Sequence, residues 1–152
     1  TDAEAKKAAA MVGNGDSHVA TVLLVEDNEA VRRGSKVLLE NSEQGDFRVL
    51  TVGNGREAIK LFQRRIEDIS AVILDLNLPD CQGADLFRQM RQLAPTLPVI
   101  VVSGLREQQL IAQCDGQKPD GVLVKPFDGD VLIEKLNSIL HSLNSQGRSP
   151  IT

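Results

Sequence analysis

Five short apolar runs punctuate the chain: "TVLLVE" (21–26), "FRVLTV" (47–52), "AVILD" (71–75), "PVIVVS" (98–103) and "GVLVK" (121–125). They are rich in β-branched residues and mostly unbroken by polar positions, which predicts strands buried on both faces. Between them apolar residues recur at helical spacing. Ala30 and Val31 return one heptad later as Val37 and Leu38. Leu86, Phe87, Met90, Leu93 and Ala94 form a broad stripe, and Leu132, Leu136, Ile139, Leu140 and Leu143 form the clearest one. Asn54 ahead of "GREAIKLF" and Asp128 ahead of "GDVLIEKL" stand where helix N-caps belong. Repeated strand–helix alternation predicts an α/β fold, a parallel sheet with helices on both faces.

Composition narrows the class. With 152 residues, 41% hydrophobic and 25% charged, the chain is expected to form one globular domain burying about two-thirds of its unfolded surface. The strand–helix pattern places that domain at residues 20–143, with a peripheral leader at 1–19 and a polar tail at 144–152. A net charge of -4 lacks the basic footprint of a nucleic-acid binder, so no direct nucleic-acid contact is expected. No apolar run approaches the roughly 20 residues that span a bilayer, and the N-terminus has no signal-peptide core. A cytoplasmic location is expected, with Cys81 and Cys114 as reduced thiols.

Ligands of parallel sheets gather at the carboxyl ends of the strands, where strand order reverses. The first predicted strand ends in Glu26 and Asp27, the third in Asp75, the fourth in Ser103 and the fifth in Lys125-Pro126. Taken singly, Asp75 could cap a turn and Lys125 could be its salt-bridge partner. Taken together they suit another chemistry. Three converging carboxylates repel one another unless a cation sits among them. Oxygen ligands without histidine or cysteine favour a hard divalent ion such as Mg²⁺. Lys125 suits a phosphoryl oxygen and Ser103 offers a hydroxyl donor. These are the parts needed for phosphoryl transfer onto an aspartate.

In that order, "VLLVEDNEAVRR", "AVILDLNLPDCQG", "VIVVSGL" and "VLVKPF" resemble the receiver domain of two-component response regulators, chemotaxis-regulator-like, over about residues 20 to 143. The resemblance implies a flavodoxin-like doubly wound sheet of five parallel strands in the order 2-1-3-4-5. It implies that Asp75 is the phosphoacceptor, acting with Ser103 and Lys125. It implies that Glu26, Asp27, Asp75 and the carbonyl of Asn77 hold Mg²⁺, and that Lys125-Pro126 is a cis peptide. Such a domain is not a turnover enzyme in the usual sense; it catalyses its own aspartyl phosphorylation and dephosphorylation. The donor would be a histidine kinase or a phosphotransfer protein, because neither His18 nor His141 is placed as a relay histidine. A weak dimer is compatible with the family. The chain reads either as a regulator acting alone or as the receiver of a larger protein such as a hybrid histidine kinase. Where many members carry an aromatic residue, three positions before the lysine, this chain has Val122. Any change of state is therefore expected in the backbone after Ser103 and in "GLREQQLIAQC", with Val122 staying in place.

Three other readings compete. Gly53, Gly55 and Ala58 match G-x-G-x-x-A, a short dinucleotide fingerprint, with Asp75 near the spacing of a ribose-binding acid. A phosphatase using an aspartyl-phosphate would want a second acid two residues after the nucleophile, where Asn77 stands. A pseudo-receiver used only for docking would have lost the acid pair, the aspartate or the lysine, and all are present.

Overall fold

All five apolar runs are strands, and all run parallel. The computed structural model describes residues 19–104 and 118–142. The strands are β1 (Ala20–Val25), β2 (Phe47–Val52), β3 (Ala71–Asp75), β4 (Val99–Ser103) and β5 (Gly121–Val124). They are hydrogen-bonded in the order β2-β1-β3-β4-β5. Among the described residues the helices are α1 (Glu29–Glu40), α2 (Gly55–Arg65), α3 (Gly83–Leu93) and α4 (Gly129–Ser142).

Every residue of β3 and β4 is buried, as the centre of a sheet covered on both faces requires. Pleating sends successive side chains to opposite faces. Leu23, Val25, Val72, Leu74, Val99 and Val101 pack with Phe62 of α2 and with Leu86, Phe87 and Met90 of α3. Val22, Leu24, Ala71, Ile73, Ile100 and Val102 pack with Leu39 of α1 and with Leu132, Ile133 and Leu136 of α4. The structure is the expected doubly wound sandwich, with α2 and α3 on one face and α1 and α4 on the other.

The helices depart from the sequence pattern in two places. The heptad pairs of α1 do not face the sheet: Val31, Val37 and Leu38 are 47%, 61% and 36% exposed, Leu38 lying against Gly129, whereas Leu39 is fully buried. The cause is polar. The helix points Arg32 at the end of β1 and the exposed Lys36 at the open edge of β2, where Arg32 Nη1 donates to the Glu26 carbonyl (2.8 Å) and Lys36 Nζ to the Val49 carbonyl (3.0 Å). In α3 the buried stripe stops at Met90, and Leu93 is exposed. Leu143 of the last stripe lies outside the described residues.

Asn54 caps α2 as expected, its side chain accepting from the Glu57 N–H. Asp128 enters α4 through its carbonyl, which accepts from Val131 and Leu132. Asn28, which the pattern did not single out, caps α1 by accepting from Val31 N–H at 3.0 Å. β2 is an edge strand, and α1 covers part of that edge. The Val49 N–H donates to Glu40 Oε2 at 3.0 Å, and Lys36, which holds the Val49 carbonyl, pairs with Glu40 at 3.8 Å. The tail, all of the leader but residue 19, His18 and Cys114 fall outside the described residues. No helix among the described residues is long and apolar enough to cross a membrane.

Candidate functional site

Strand order reverses between β1 and β3, and the polar strand ends meet there. The sheet ladder runs one residue past β1, β3 and β5. Glu26 N–H donates to the Val52 carbonyl (3.1 Å), Leu76 N–H to Val102 (3.0 Å) and Lys125 N–H to Ser103 (2.8 Å). Glu26 and Lys125 therefore sit on backbone held by the sheet. Carboxylate oxygens of Glu26, Asp27 and Asp75 lie within 4.8 Å of one another. Lys125 Nζ is 2.8 Å from Asp75 Oδ2 and 4.0 Å from Glu26 Oε1. Glu26 and Asp75 are 4% and 2% exposed, while Asp27 opens to solvent. Ser103 is buried and follows Val102, the residue paired across the sheet with Asp75. Asn77 N–H donates to Asp75 Oδ1 at 2.9 Å. The Lys125-Pro126 bond is cis.

The electrostatics follow from burial. Desolvation pushes Glu26 up to about 7, Asp75's charge adds to this, and the Asn28 amide and Lys125 work against it. Burial pulls Lys125 down, but its hydrogen bond to Asp75 and the charges of Asp75, Glu26 and Asp27 outweigh that and leave it above its ordinary value. One lysine thus faces three acids. The surplus of negative charge, the all-oxygen donor set and the solvent-facing Asp27 fit a hard divalent cation, and such an ion would favour ionisation of Glu26.

Around these residues stand others that the sequence did not mark. Arg32 Nη1 also reaches the Asp27 carbonyl at 3.3 Å, so one side chain fixes the backbone of both acids. Asp80 accepts from the N–H groups of Gly55 (2.8 Å) and Arg56 (3.0 Å). A Cβ on Gly83 would stand 2.4 Å from Leu76 Cα, so only glycine permits that closure. Spacing alone reveals none of these, because each acts on backbone distant in sequence or on a close approach. Gly104 makes no comparable demand: a Cβ there would meet nothing within 4 Å.

The dinucleotide reading fails on geometry. The amides opening α2, which a pyrophosphate would need, are already taken by the Asp80 carboxylate. β1 also lies between β2 and β3, so Asp75 does not end the strand beside the glycine turn.

An open parallel sheet carrying acids and a lysine at its switch point defines a class, the doubly wound domain with a cation-and-phosphoryl type of site. Comparison with known proteins makes the class specific. The profile of the response regulator receiver domain matches residues 22–137, and the chain belongs to that family, the receivers of two-component signalling. The cell cycle response regulator CtrA of Brucella ovis is 30% identical over 131 residues, 86% of this chain and 54% of the relative. The chain thus spans about half the length of the curated relatives it matches. A receiver domain (CheY-like) from Methylobacillus flagellatus is 34% identical, with TM-score 0.68, over 80% of this chain and 99% of that one. A receiver domain protein from Clostridium thermocellum is 25% identical, with TM-score 0.72, over 83% and 98%.

Proposed function

We propose that this chain, through a receiver unit at residues 20–143, takes a phosphoryl group onto Asp75 with Mg²⁺ bound beside it. The observation that carries the reading is the contact of Lys125 Nζ with Asp75 Oδ2 at 2.8 Å, set among the carboxylates of Glu26, Asp27 and Asp75. Glu26, Asp27, Asp75 and the Asn77 carbonyl would hold the ion. When bound, it offsets the charge that the acids and the incoming phosphoryl group would otherwise crowd together.

The remaining work falls to the chain itself. An Asp75 carboxylate oxygen forms the new bond to phosphorus, and the bond from phosphorus to the donor nitrogen breaks, returning the imidazole to the donor. Asn77 N–H holds Asp75 Oδ1 in place while this happens. Lys125 carries positive charge to the oxygens of the transferring group, and the Ser103 hydroxyl donates to one of them once it has arrived. Hydrolysis reverses the modification at the same carboxylate, so the domain resets itself.

The donor is a histidine kinase or a phosphotransfer protein in the cytoplasm, and the modified domain acts by changing what it binds rather than by contacting nucleic acid; a weak dimer is part of the same proposal. The switching segment expected after Ser103, "GLREQQLIAQC", falls largely outside the described residues, whereas Val122 is half-buried against the core. Acetyl phosphate with Mg²⁺, read by intact mass, tests the assignment. One phosphoryl group is expected on the wild type and none on Asp75→Asn or without Mg²⁺. No gain, or a phosphopeptide mapping to Ser103 or His141, overturns it.

A further inference from the structure

The segment from Leu76 to Gly83 is closed on itself. Asn77 and Gln82 form an isolated antiparallel bridge, and Gly83 N–H donates to the Leu76 carbonyl at 3.1 Å. At its foot the segment orients the acceptor, since Asn77 N–H donates to Asp75 Oδ1. At its far end stands Asp80, whose carboxylate leaves the segment and accepts from the first two amides of α2. Cys81 follows it against Gly55, where a Cβ would come within 2.2 Å of Sγ. The contact is close because residue 55 has no side chain.

Helix α2 does not depend on Asp80 alone for its cap. Asn54 already fills that place, accepting from Glu57 N–H at 2.9 Å. Asp80 is exposed, so core packing does not demand an acid there either. What its two bonds do is join the segments that follow β2 and β3. Those strands flank β1, which leads into Glu26 and Asp27. The paired amides, Gly55 first, hold the Asp80 carboxyl below its ordinary value, as charge-assisted bonds at a helix N-terminus should.

From this we infer that Asp80 is a positioning residue for the site: by anchoring the 76–83 segment to α2, it fixes where Asn77 presents its N–H to Asp75 and its carbonyl to the cation. The inference rests on the proposed function and deepens it. Asp80 touches neither the acceptor nor the ion, and acts only through the short closed segment.

The test uses the full chain with Asp80→Ala, Asp80→Asn and Arg56→Pro. The last removes one donating amide while leaving Asp80 in place, at a first-turn position where proline is tolerated. Mg²⁺ alone is titrated by calorimetry, and phosphorylation by acetyl phosphate is followed against Mg²⁺ concentration. For Asp80→Ala the half-saturating Mg²⁺ concentration is expected to rise about tenfold in both measurements, the low end for a partner outside the ligand set. Asp80→Asn, which keeps one accepting oxygen, and Arg56→Pro fall between. The Asn77 amide resonance moves in the metal-free variants although it does not touch residue 80. A lower melting temperature with Mg²⁺ half-saturation and the Asn77 resonance unchanged would make Asp80 a helix cap only and overturn the inference. Absence of Mg²⁺ binding by the wild type would instead remove the proposed function itself.

Discussion

Glu26 is nearly buried among two other acids, and its carboxyl titrates near 7 instead of 4.5. The folded chain therefore holds a proton that the unfolded chain releases between those values. Stability from this group is complete below pH 4.5 and is lost as pH rises through about 7. At roughly 1.4 kcal/mol per unit, the effect is on the order of 3 kcal/mol. With chelator present, urea midpoints should fall between about pH 4.5 and about pH 7. Glu26→Gln should flatten that fall and raise stability at the higher pH by about 1–3 kcal/mol; an unchanged slope would place the titration elsewhere. Glycines show how one substitution takes either sign. Gly83→Ala pushes a Cβ into the Leu76 backbone and should cost about 1–3 kcal/mol or more. Gly34, inside α1 with nothing within 4 Å, should gain about 0.5–1 kcal/mol as alanine. Thermal denaturation of the two variants distinguishes them. The acids and Lys125 were legible in the sequence because strand ends concentrate chemistry. Gly83 and Asp80 were not, because their roles depend on which backbone comes near.

At the scale of the element, the strands were the easier reading. A parallel sheet covered on both faces leaves continuous apolar runs, and β3 and β4 match theirs to within a residue. Helix faces were harder. Apolar spacing on α1 pointed to Ala30, Val31, Val37 and Leu38, yet the face turned to the sheet holds Leu39. Hydropathy cannot register that Arg32 and Lys36 are drawn to carbonyls of the β1 end and of the β2 edge. The two faces should separate cleanly in chemical denaturation. Leu39→Ala leaves a cavity in the core and should cost about 2–5 kcal/mol. Val37→Ala, at an exposed position, should stay within about 0.5 kcal/mol. Equal losses would mean that α1 sits differently on the sheet.

Across the whole molecule, the switch point brings residues from β1, β3, β4 and β5 to one end, so the site draws on nearly every strand while each contributes little. The same sheet has a border at β2, and there Glu40 and Lys36 occupy the N–H and carbonyl of Val49. An open strand margin is a template on which another chain can lay itself down, and chains that do so repeatedly form fibres. Here the helix lends two charged side chains as stoppers against such stacking. Removing both, Lys36→Ala with Glu40→Ala, should leave the site able to accept a phosphoryl group but make the protein self-associate in a concentration-dependent way. Light scattering that stays flat would show the margin to be protected by something else. On this view α1 has two unrelated capacities: at its start Arg32 steadies the backbone of two acids, and near its end two charged groups close a margin on which a second copy would otherwise lay a strand.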